Sequence, residues 1–186
     1  MTKRLLDLVI GIPLAVIASP IVLILAVATL LTDGWPPLVV QTRVGADEKP
    51  IKVPKLRTMR RGTPLVAKAR LERSADVYTP LGPALRRLSL DELPQFWSVV
   101  IGEMSLVGPR PALPSQDDLL ALRRERGVIG LKPGITGLAQ VLGREDLTLS
   151  TKVRSEALYA RRVSLRLDLG LLIWTVRAVF LGRGAF

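Results

Sequence analysis

The sequence of 186 residues contains no cysteine and no histidine. These absences exclude disulfide bonds, thiolate nucleophiles, zinc sites of the usual kind and every catalytic triad built on histidine. Catalysis by this chain would therefore rest on carboxylates, amines, guanidinium groups or hydroxyls. Any bound metal would be a hard cation held by carboxylates, which favours Mg²⁺ over Zn²⁺.

Aromatic residues are also scarce, at 4% of the chain, whereas the net charge is +11. Stacking platforms for single-stranded nucleic acid are not expected, so we expect no nucleic-acid partner. The apolar fraction of 48% is high for so basic a chain. This combination predicts contact with membrane lipids and with anionic partners, either anionic lipids or phosphorylated small molecules.

One uncharged run, residues 8–31, is long enough to span a bilayer, which needs about 20 residues. Ser19-Pro20 lies near its middle, where proline removes a backbone donor and disturbs a helix. Lys3 and Arg4 favour a cytoplasmic start, and the basic remainder of the chain favours the same side. Three interpretations are open: a kinked signal anchor, a re-entrant helix broken at Ser19-Pro20, and a signal peptide cleaved near Ala26-Val27-Ala28.

The rest of the chain, residues 32–186, is predicted to be one domain of the α+β class that is mostly helical. Two β-rich segments, Leu38–Arg43 and Ile51–Leu56, flank a polar turn and therefore predict a β-hairpin. Residues 165–181 are apolar but interrupted by charges, which predicts an amphipathic helix in the membrane interface; a packed core helix is the alternative. Further helices are predicted over 81–88, 89–101, 115–126 and 149–163.

The stretch "SLDELPQFW" at 89–97 places two carboxylates, Asp91 and Glu92, side by side. Ser89 and Glu92 match a capping box, which predicts a helix start. Adjacent helical side chains diverge by about 100°, so one acid could act while the other positions it or exchanges protons. We expect the helix start and nearby arginines to keep both acids ionised. An ionised aspartate can attack phosphorus, with Mg²⁺ on the substrate phosphates reducing the repulsion between the two anions.

Arg110 stands between two prolines in Gly108-Pro109-Arg110-Pro111. Each proline fixes its own backbone and restrains the residue before it, so the arginine has rigid backbone on both sides. Such a placement suits a bidentate grip on phosphate or carboxylate. A plain structural turn is the alternative interpretation.

Six segments occur in an order typical of one known family: "KRLLDL" at 3–8, "QTRVG" at 41–45, "KLRTM" at 55–59, "SLDELPQFWSV" at 89–99, "GEMSLVGPRP" at 102–111 and "KPGITGLAQV" at 132–141. Together they resemble the small monotopic polyprenol-phosphate phosphoglycosyl transferases of bacterial glycan assembly. The resemblance implies transfer of a sugar 1-phosphate from a UDP-sugar to undecaprenyl phosphate, with release of UMP. It also implies Mg²⁺ and a ping-pong route through a covalent phosphosugar intermediate.

The same resemblance assigns roles to residues. The family's acid pair falls on Asp91, as nucleophile and Mg²⁺ ligand, and on Glu92 as its assistant. The family's membrane helix is re-entrant and breaks at Ser-Pro, which implies a re-entrant segment at residues 1–31 broken at Ser19-Pro20. The implied location is the bacterial inner membrane, with the active site on the cytoplasmic face. The implied phosphate ligands are Arg110 and, as further candidates, Lys55, Arg57, Arg86, Arg87 and Arg144.

Two segments depart from the family pattern. Leu56-Arg57 stands where the family usually has an aromatic residue followed by arginine. A C-terminal pattern of Asp, Tyr and Asn before Ser appears here as Glu156, Tyr159 and Arg162 before Ser164. The second departure leaves the role of this segment, and with it the sugar preference, open.

A protein without catalytic activity could also combine an apolar anchor with a basic surface that binds anionic lipid. Such a protein would need neither the Asp91-Glu92 pair nor the loop around Arg110. Its lipid binding would survive Asp91→Asn and Arg110→Ala alike, whereas a transferase would lose turnover with Asp91→Asn.

Overall fold

The computed structural model describes residues 2–63, 77–143 and 147–180. Its elements confirm a mostly helical chain with a small β-hairpin and an apolar N-terminal helix. In chain order they are α1 (Thr2–Asp33), β1 (Leu38–Val44), β2 (Pro50–Leu56), α2 (Gly82–Arg87), α3 (Gln95–Ile101), β3 (Ser105–Val107), α4 (Asp117–Glu125), β4 (Gly134–Thr136), α5 (Leu138–Leu142), α6 (Leu149–Arg161) and α7 (Leu165–Phe180).

The N-terminal helix α1 runs without interruption through both Pro13 and Pro20. At 1.5 Å per residue its length is about 48 Å. The Ser19 hydroxyl donates a hydrogen bond to the carbonyl oxygen of Ala15 at 2.7 Å. Helical structure therefore continues through Ser19-Pro20, and the predicted break at this position stays a prediction, as a bend of the helix. Proline at this position removes one backbone donor, and helical backbone continues on both sides of it.

Most of the large apolar side chains of α1 face outward. Among the described residues, α1 is the one helix that is long and apolar enough to cross a membrane. Its exposure is compatible with membrane association, because apolar surface on this scale is costly in water. The exposed apolar side chains are Leu5, Val9, Ile12, Val16, Ile17, Ile21, Leu23, Ile24, Val27, Leu30 and Leu31.

Both ends of α1 are bound by charged groups to the rest of the protein. Near the start, Lys3 Nζ lies 2.7 Å from an oxygen of Asp168 in α7. One turn later the buried carboxylate of Asp7 accepts two hydrogen bonds from β3, each of 2.9 Å. At the other end, Arg57 lies 2.7 Å from Asp33. The helix is therefore attached to the same folded body at both of its ends.

The predicted β-hairpin is confirmed, since β1 and β2 pair in antiparallel register along their whole lengths. Alternate residues of a strand point to the same side, so Ile51, Val53 and Lys55 share one face. Ile51 and Val53 are buried in the main core. Arg43 pairs with Ile51 across the hairpin and therefore belongs to this face as well. The inner face of the hairpin thus continues from apolar core into a polar, basic edge.

A second strand pair, β3 with β4, is parallel, and this pairing is not among those predicted from the sequence. All three residues of β3 are buried. The backbones approach closely where Gly108 follows β3: a Cβ at Gly134 would collide with the Gly108 nitrogen. Glycine is needed at this contact, and Gly108 in turn donates to the carbonyl of Thr136 at 2.8 Å.

The C-terminal helices α6 and α7 contribute buried residues to the main core. Tyr159 of α6 and Leu171 of α7 are buried in the same cluster as Val53 and Met104. The opposite side of α7 exposes several apolar residues, including Ile173 and Trp174. One packed face and one exposed apolar face match the prediction of an amphipathic helix at 165–181.

Candidate active site

The two adjacent acids lie on a single 3-10 turn, Leu90–Glu92, between α2 and α3. Ser89 before this turn adopts a left-handed conformation with φ of 55°, and its side chain makes no capping hydrogen bond. The helix α3 begins only at Gln95. The predicted capping box is therefore wrong. The carboxylate of Glu92 pairs with cations from other parts of the fold instead of returning to the Ser89 amide.

Glu92 is held by two cations. Lys55 Nζ donates to Oε1 of Glu92 at 2.8 Å. Arg110 donates from Nη2 to Oε1 at 2.8 Å and from Nη1 to Oε2 at 3.5 Å. Burial disfavours the charged form of Glu92, but the charges and hydrogen bonds of Arg110 and Lys55 outweigh it and hold its pKa well below the usual range. Glu92 is therefore an ionised and fixed carboxylate at neutral pH.

Asp91 lies beside it in a different environment and is 7% exposed. Burial raises the pKa of Asp91, and the negative charge of Glu92 adds to this effect. The positive charges of Lys55, Arg86 and Arg110 act in the opposite direction. We had expected the same surroundings to favour ionisation of both acids. In the structure the pKa values of the two acids are instead shifted in opposite directions, because the cations contact Glu92 directly whereas desolvation dominates at Asp91.

Arg110 is positioned by the backbone that follows β3 and by a buried ion pair behind the loop. Arg123 Nη2 donates to the carbonyl oxygen of Arg110 at 2.9 Å. The same guanidinium forms two hydrogen bonds with Glu156, of 2.6 and 2.8 Å. Both members of this pair are buried. Glu156, one of the residues that departs from the family pattern, thus supports the Arg110 loop from the inside of the fold.

A cleft with about 200 Å³ of empty space, part of it open to solvent, lies between the hairpin, the 3-10 turn and the Arg110 loop. Burial, and then the positive charge of Arg110, lower the pKa of Arg43 to about 10 against the opposing effect of Glu92. This lowering indicates an excess of positive charge in partly desolvated surroundings. The residues that line the cleft are Arg43, Val53, Lys55, Glu92, Gln95, Arg110 and Pro111.

Comparison with known proteins gives a match over nearly the whole chain. Residues 1–182 match the family model described as bacterial sugar transferase. The chain belongs to the bacterial sugar transferase family. Among curated relatives, the chain is 36% identical over 191 residues to the UDP-glucose:undecaprenyl-phosphate glucose-1-phosphate transferase of Klebsiella pneumoniae. That alignment covers 99% of this chain and 41% of the relative, so the chain spans less than half of the longer protein.

Two further relatives of the chain differ in length. The exopolysaccharide production protein ExoY of Rhizobium meliloti is 33% identical over 203 residues, covering 100% of this chain and 88% of the relative. The UDP-galactose-lipid carrier transferase of Erwinia amylovora is 36% identical over 203 residues, covering 99% of this chain and 41% of the relative. The Klebsiella relative is thus named for glucose and the Erwinia relative for galactose.

The other arginines predicted for the site are distributed differently. Arg86 lies near Asp91 and its guanidinium carbon is 5.6 Å from the centre of the Tyr78 ring. Arg87 is exposed at the surface. Arg57 is buried and forms an ion pair with Asp33 at the end of α1, and it is not among the residues that line the cleft. Arg144 lies outside the described residues.

The sequence interpretation missed two residues that line the cleft, Arg43 and Gln95. Arg43 belongs to the "QTRVG" segment, and its register opposite Ile51 places it on the inner face of the hairpin. Gln95 follows Glu92 by three residues, a spacing that brings side chains to the same side of a helical turn. The sequence contains both patterns, the position of Arg43 in its strand and the spacing of Gln95 from Glu92. Each pattern identifies a residue of the cleft only once the buried face of the strand or turn is known.

The acids of the site fit Mg²⁺ only in part. Mg²⁺ in nucleotide enzymes is commonly held by one or two carboxylates together with substrate phosphates and water. Both oxygens of Glu92 already bind cationic side chains, which leaves Asp91 as the carboxylate of the pair that fits a metal ligand. In the part of the chain that the structure describes, no group of three or more acids forms a metal cage.

Proposed function

We propose that the protein transfers a sugar 1-phosphate from a UDP-sugar to undecaprenyl phosphate and releases UMP. One observation carries the proposal: the nearly buried carboxylate of Asp91 lies beside a fixed Glu92 and close to the cations Lys55, Arg86 and Arg110. Such a site combines a nucleophile with charges that can bind phosphate. Family membership and the names of the relatives support the same substrates.

The chemistry proceeds in two displacements at one phosphorus. An oxygen of Asp91 attacks the phosphorus that carries the sugar, and the bond from this phosphorus to the UMP oxygen breaks. The product is an acyl phosphate that links the sugar 1-phosphate to Asp91, while UMP leaves. An oxygen of undecaprenyl phosphate then attacks the same phosphorus, which forms the diphosphate and returns Asp91 to its ionised form. Arg110 and Lys55 stabilise the negative charge that develops on the phosphoryl oxygens.

The surroundings of Glu92 favour a positioning role over proton transfer. A carboxylate whose pKa lies well below the usual range is a weak base at neutral pH. Its two oxygens already fix Lys55 and Arg110, each with a hydrogen bond of 2.8 Å. Glu92 therefore holds both cations beside Asp91, where they can bind the incoming phosphates.

Asp91 is also the residue that would hold Mg²⁺, together with the phosphates of the UDP-sugar. Mg²⁺, when bound, would neutralise part of the negative charge on the diphosphate. Two anions must approach each other in this reaction. Lys55 and Arg110 reduce this repulsion from the protein side.

The proposed membrane arrangement is monotopic, with α1 entering and leaving the bilayer by the cytoplasmic face. The supporting observation is that the two ends of α1 are bound to one folded body, through Lys3 with Asp168 and through Asp33 with Arg57. A helix that crossed the bilayer would have to place these contacts on opposite sides. The exposed apolar face of α7, with Trp174, adds a second surface suited to the interface. This arrangement would hold the cleft where a lipid phosphate and a soluble nucleotide meet.

The test is release of UMP by the full chain in detergent or lipid discs containing undecaprenyl phosphate. UDP-glucose and UDP-galactose are the first substrates, because the relatives are named for these sugars. We expect release that depends on undecaprenyl phosphate and on Mg²⁺, and that Asp91→Asn abolishes. Asp118→Asn is the matched control, since Asp118 is exposed at the start of α4.

A non-catalytic lipid-binding protein would behave differently in this assay. It would release no UMP from any UDP-sugar, while its binding to anionic vesicles would be unchanged by Asp91→Asn. Equal UMP release by the wild type and Asp91→Asn would contradict the assignment of the nucleophile.

A further inference from the structure

Two buried hydrogen-bond donors line the cleft without a partner. They are Nε of Arg43 and Nε2 of Gln95. Gln95 is 3% exposed, so bulk water does not satisfy its amide. Buried polar groups in folded proteins are nearly always hydrogen-bonded, so each exception needs an explanation, of which a catalytic role or a bound ion is one. Two unpaired donors in one cleft therefore indicate a ligand that accepts hydrogen bonds.

The guanidinium of Arg43 is held in place by its other nitrogens. Nη2 donates to Oε1 of Gln41 at 2.5 Å, and Nη1 donates to the carbonyl oxygen of Pro111 at 3.4 Å. These contacts connect the hairpin to the loop that carries Arg110. They leave Nε as the unpaired donor, at a residue that lines the cleft.

The charges of the cleft indicate that the ligand is an anion. Three cationic side chains line it, Arg43, Lys55 and Arg110, against the single carboxylate of Glu92. Burial is the main cause of the lowered pKa of Arg43, and the repulsion from Arg110 that adds to it agrees with this imbalance. A neutral ligand would leave the excess positive charge uncompensated. A phosphate group supplies both negative charge and oxygens that only accept hydrogen bonds.

We propose that Arg43 and Gln95 form a phosphate subsite in this cleft, with Nε–H of Arg43 and the side-chain amide of Gln95 as donors to one phosphate group. The inference rests on the proposed function, in which two phosphorylated substrates react beside Glu92. The ligand chemistry is common to both: the phosphate belongs either to the diphosphate of the nucleotide sugar or to the lipid phosphate. Lys55 and Arg110 line the same cleft together with Glu92, and Glu92 shares its 3-10 turn with Asp91, so the subsite lies next to the proposed nucleophile.

The test combines binding and kinetics on the full chain with Arg43→Gln, Arg43→Lys and Gln95→Leu. Arg126→Gln is the control, because it removes one positive charge from an exposed position. Binding is measured first with inorganic pyrophosphate and inorganic phosphate, as the rise in thermal unfolding temperature of each protein. We expect stabilisation of the wild type and of Arg126→Gln that is lost in Arg43→Gln and Gln95→Leu and partly restored in Arg43→Lys.

The kinetic arm identifies the source of the phosphate. Loss of one charged hydrogen bond is expected to raise a KM by roughly 10- to 100-fold. A rise in the KM for the UDP-sugar alone assigns the subsite to the nucleotide diphosphate, and a rise for undecaprenyl phosphate alone assigns it to the lipid. Gln95→Leu should raise the same KM as Arg43→Gln, whereas Arg126→Gln should change neither.

Wild-type KM values and wild-type stabilisation by pyrophosphate in both Arg43→Gln and Gln95→Leu would overturn the subsite. If Arg43→Gln does not fold, Gln95→Leu decides the question, because it removes a donor and no charge. Failure of the proposed function is distinguishable from this outcome. In that case the wild type would release no UMP, while stabilisation by pyrophosphate and its loss in the variants would still test the phosphate subsite.

Discussion

Removing the carboxylate from the ion pair between Lys55 and Glu92 should cost the folded state several kcal/mol. Its two side chains are 15% and 17% exposed and lie 2.8 Å apart. Glu92→Gln keeps the shape of the side chain but removes the one carboxylate that Lys55 is shown to contact directly, in surroundings largely shielded from water. Breaking such a buried pair costs about 3–5 kcal/mol, and the remaining exposure places this one near the lower limit. The Arg110 side chain is 42% exposed, so solvent screens its charge. Loss of its contact with Glu92 should therefore add less than about 1 kcal/mol to this cost.

The expected loss of about 3 kcal/mol corresponds to a fall of roughly 6–12 °C in the midpoint of thermal unfolding for a chain of this size. Glu48→Gln is the matched control, because Glu48 forms a pair of similar length, 2.7 Å, with Arg124 at the surface. Its loss should cost less than about 1 kcal/mol. Thermal unfolding of both variants in the same detergent, followed by circular dichroism, makes the comparison.

A double-mutant cycle with Lys55→Met isolates the pair. We expect a coupling free energy of about 2 kcal/mol between the two substitutions, within the range measured for contacting residues. The ionised form of Glu92 stabilises the fold above its ordinary pKa of 4.5, so the difference between wild type and Glu92→Gln should shrink as the pH falls below that value. Additivity of the two substitutions within about 0.5 kcal/mol would refute the reasoning.

Three further predictions concern the remaining parts of the account. Asp91→Asn should raise the unfolding temperature at neutral pH, because burial makes the ionised form of Asp91 unfavourable, and the gain should disappear below pH 3.8, its ordinary pKa. Single cysteines at Thr2 and Thr32, in a chain that has none, should both be labelled only from the cytoplasmic side; periplasmic labelling of either would exclude the re-entrant arrangement. Glu156→Gln should lower both kcat and the unfolding temperature, because it leaves Arg123 buried without its counter-charge. The double variant Arg123→Met, Glu156→Gln should recover more of the stability than of kcat. Equal recovery of both would contradict a positioning role for Arg123.

The hairpin and most of the helices could be predicted because their signals are local. Alternating β-branched residues on both sides of a polar turn specify β1 and β2, and amphipathic spacing specifies α4 and α6. The parallel pair of β3 with β4 could not be predicted in this way. Each strand is three residues long and β3 is wholly buried, so neither shows alternation, and the pairing joins residues far apart in the chain.

The acid pair illustrates the same limit at the site. The spacing of Ser89 and Glu92 satisfies a local rule for helix starts, but Lys55 and Arg110 come from distant segments and attract the glutamate more strongly than a backbone amide does. The adjacent acids and the arginine between two prolines could be recognised from the sequence, whereas Lys55 was a candidate only through the family resemblance. Which acid has the lowered pKa depends on burial and on contacts between elements, and these appear only in the folded structure.

The proposed covalent intermediate on Asp91 can be measured directly by intact-protein mass spectrometry. Wild-type protein is incubated with Mg²⁺ and a UDP-sugar that supports UMP release, without undecaprenyl phosphate, and is then quenched in acid. The account predicts a mass increase equal to one sugar phosphate, located on the peptide that contains Asp91, absent from Asp91→Asn and removed when undecaprenyl phosphate is added. Turnover of the UDP-sugar with no adduct at any time, or an adduct that persists in Asp91→Asn, would contradict the central claim.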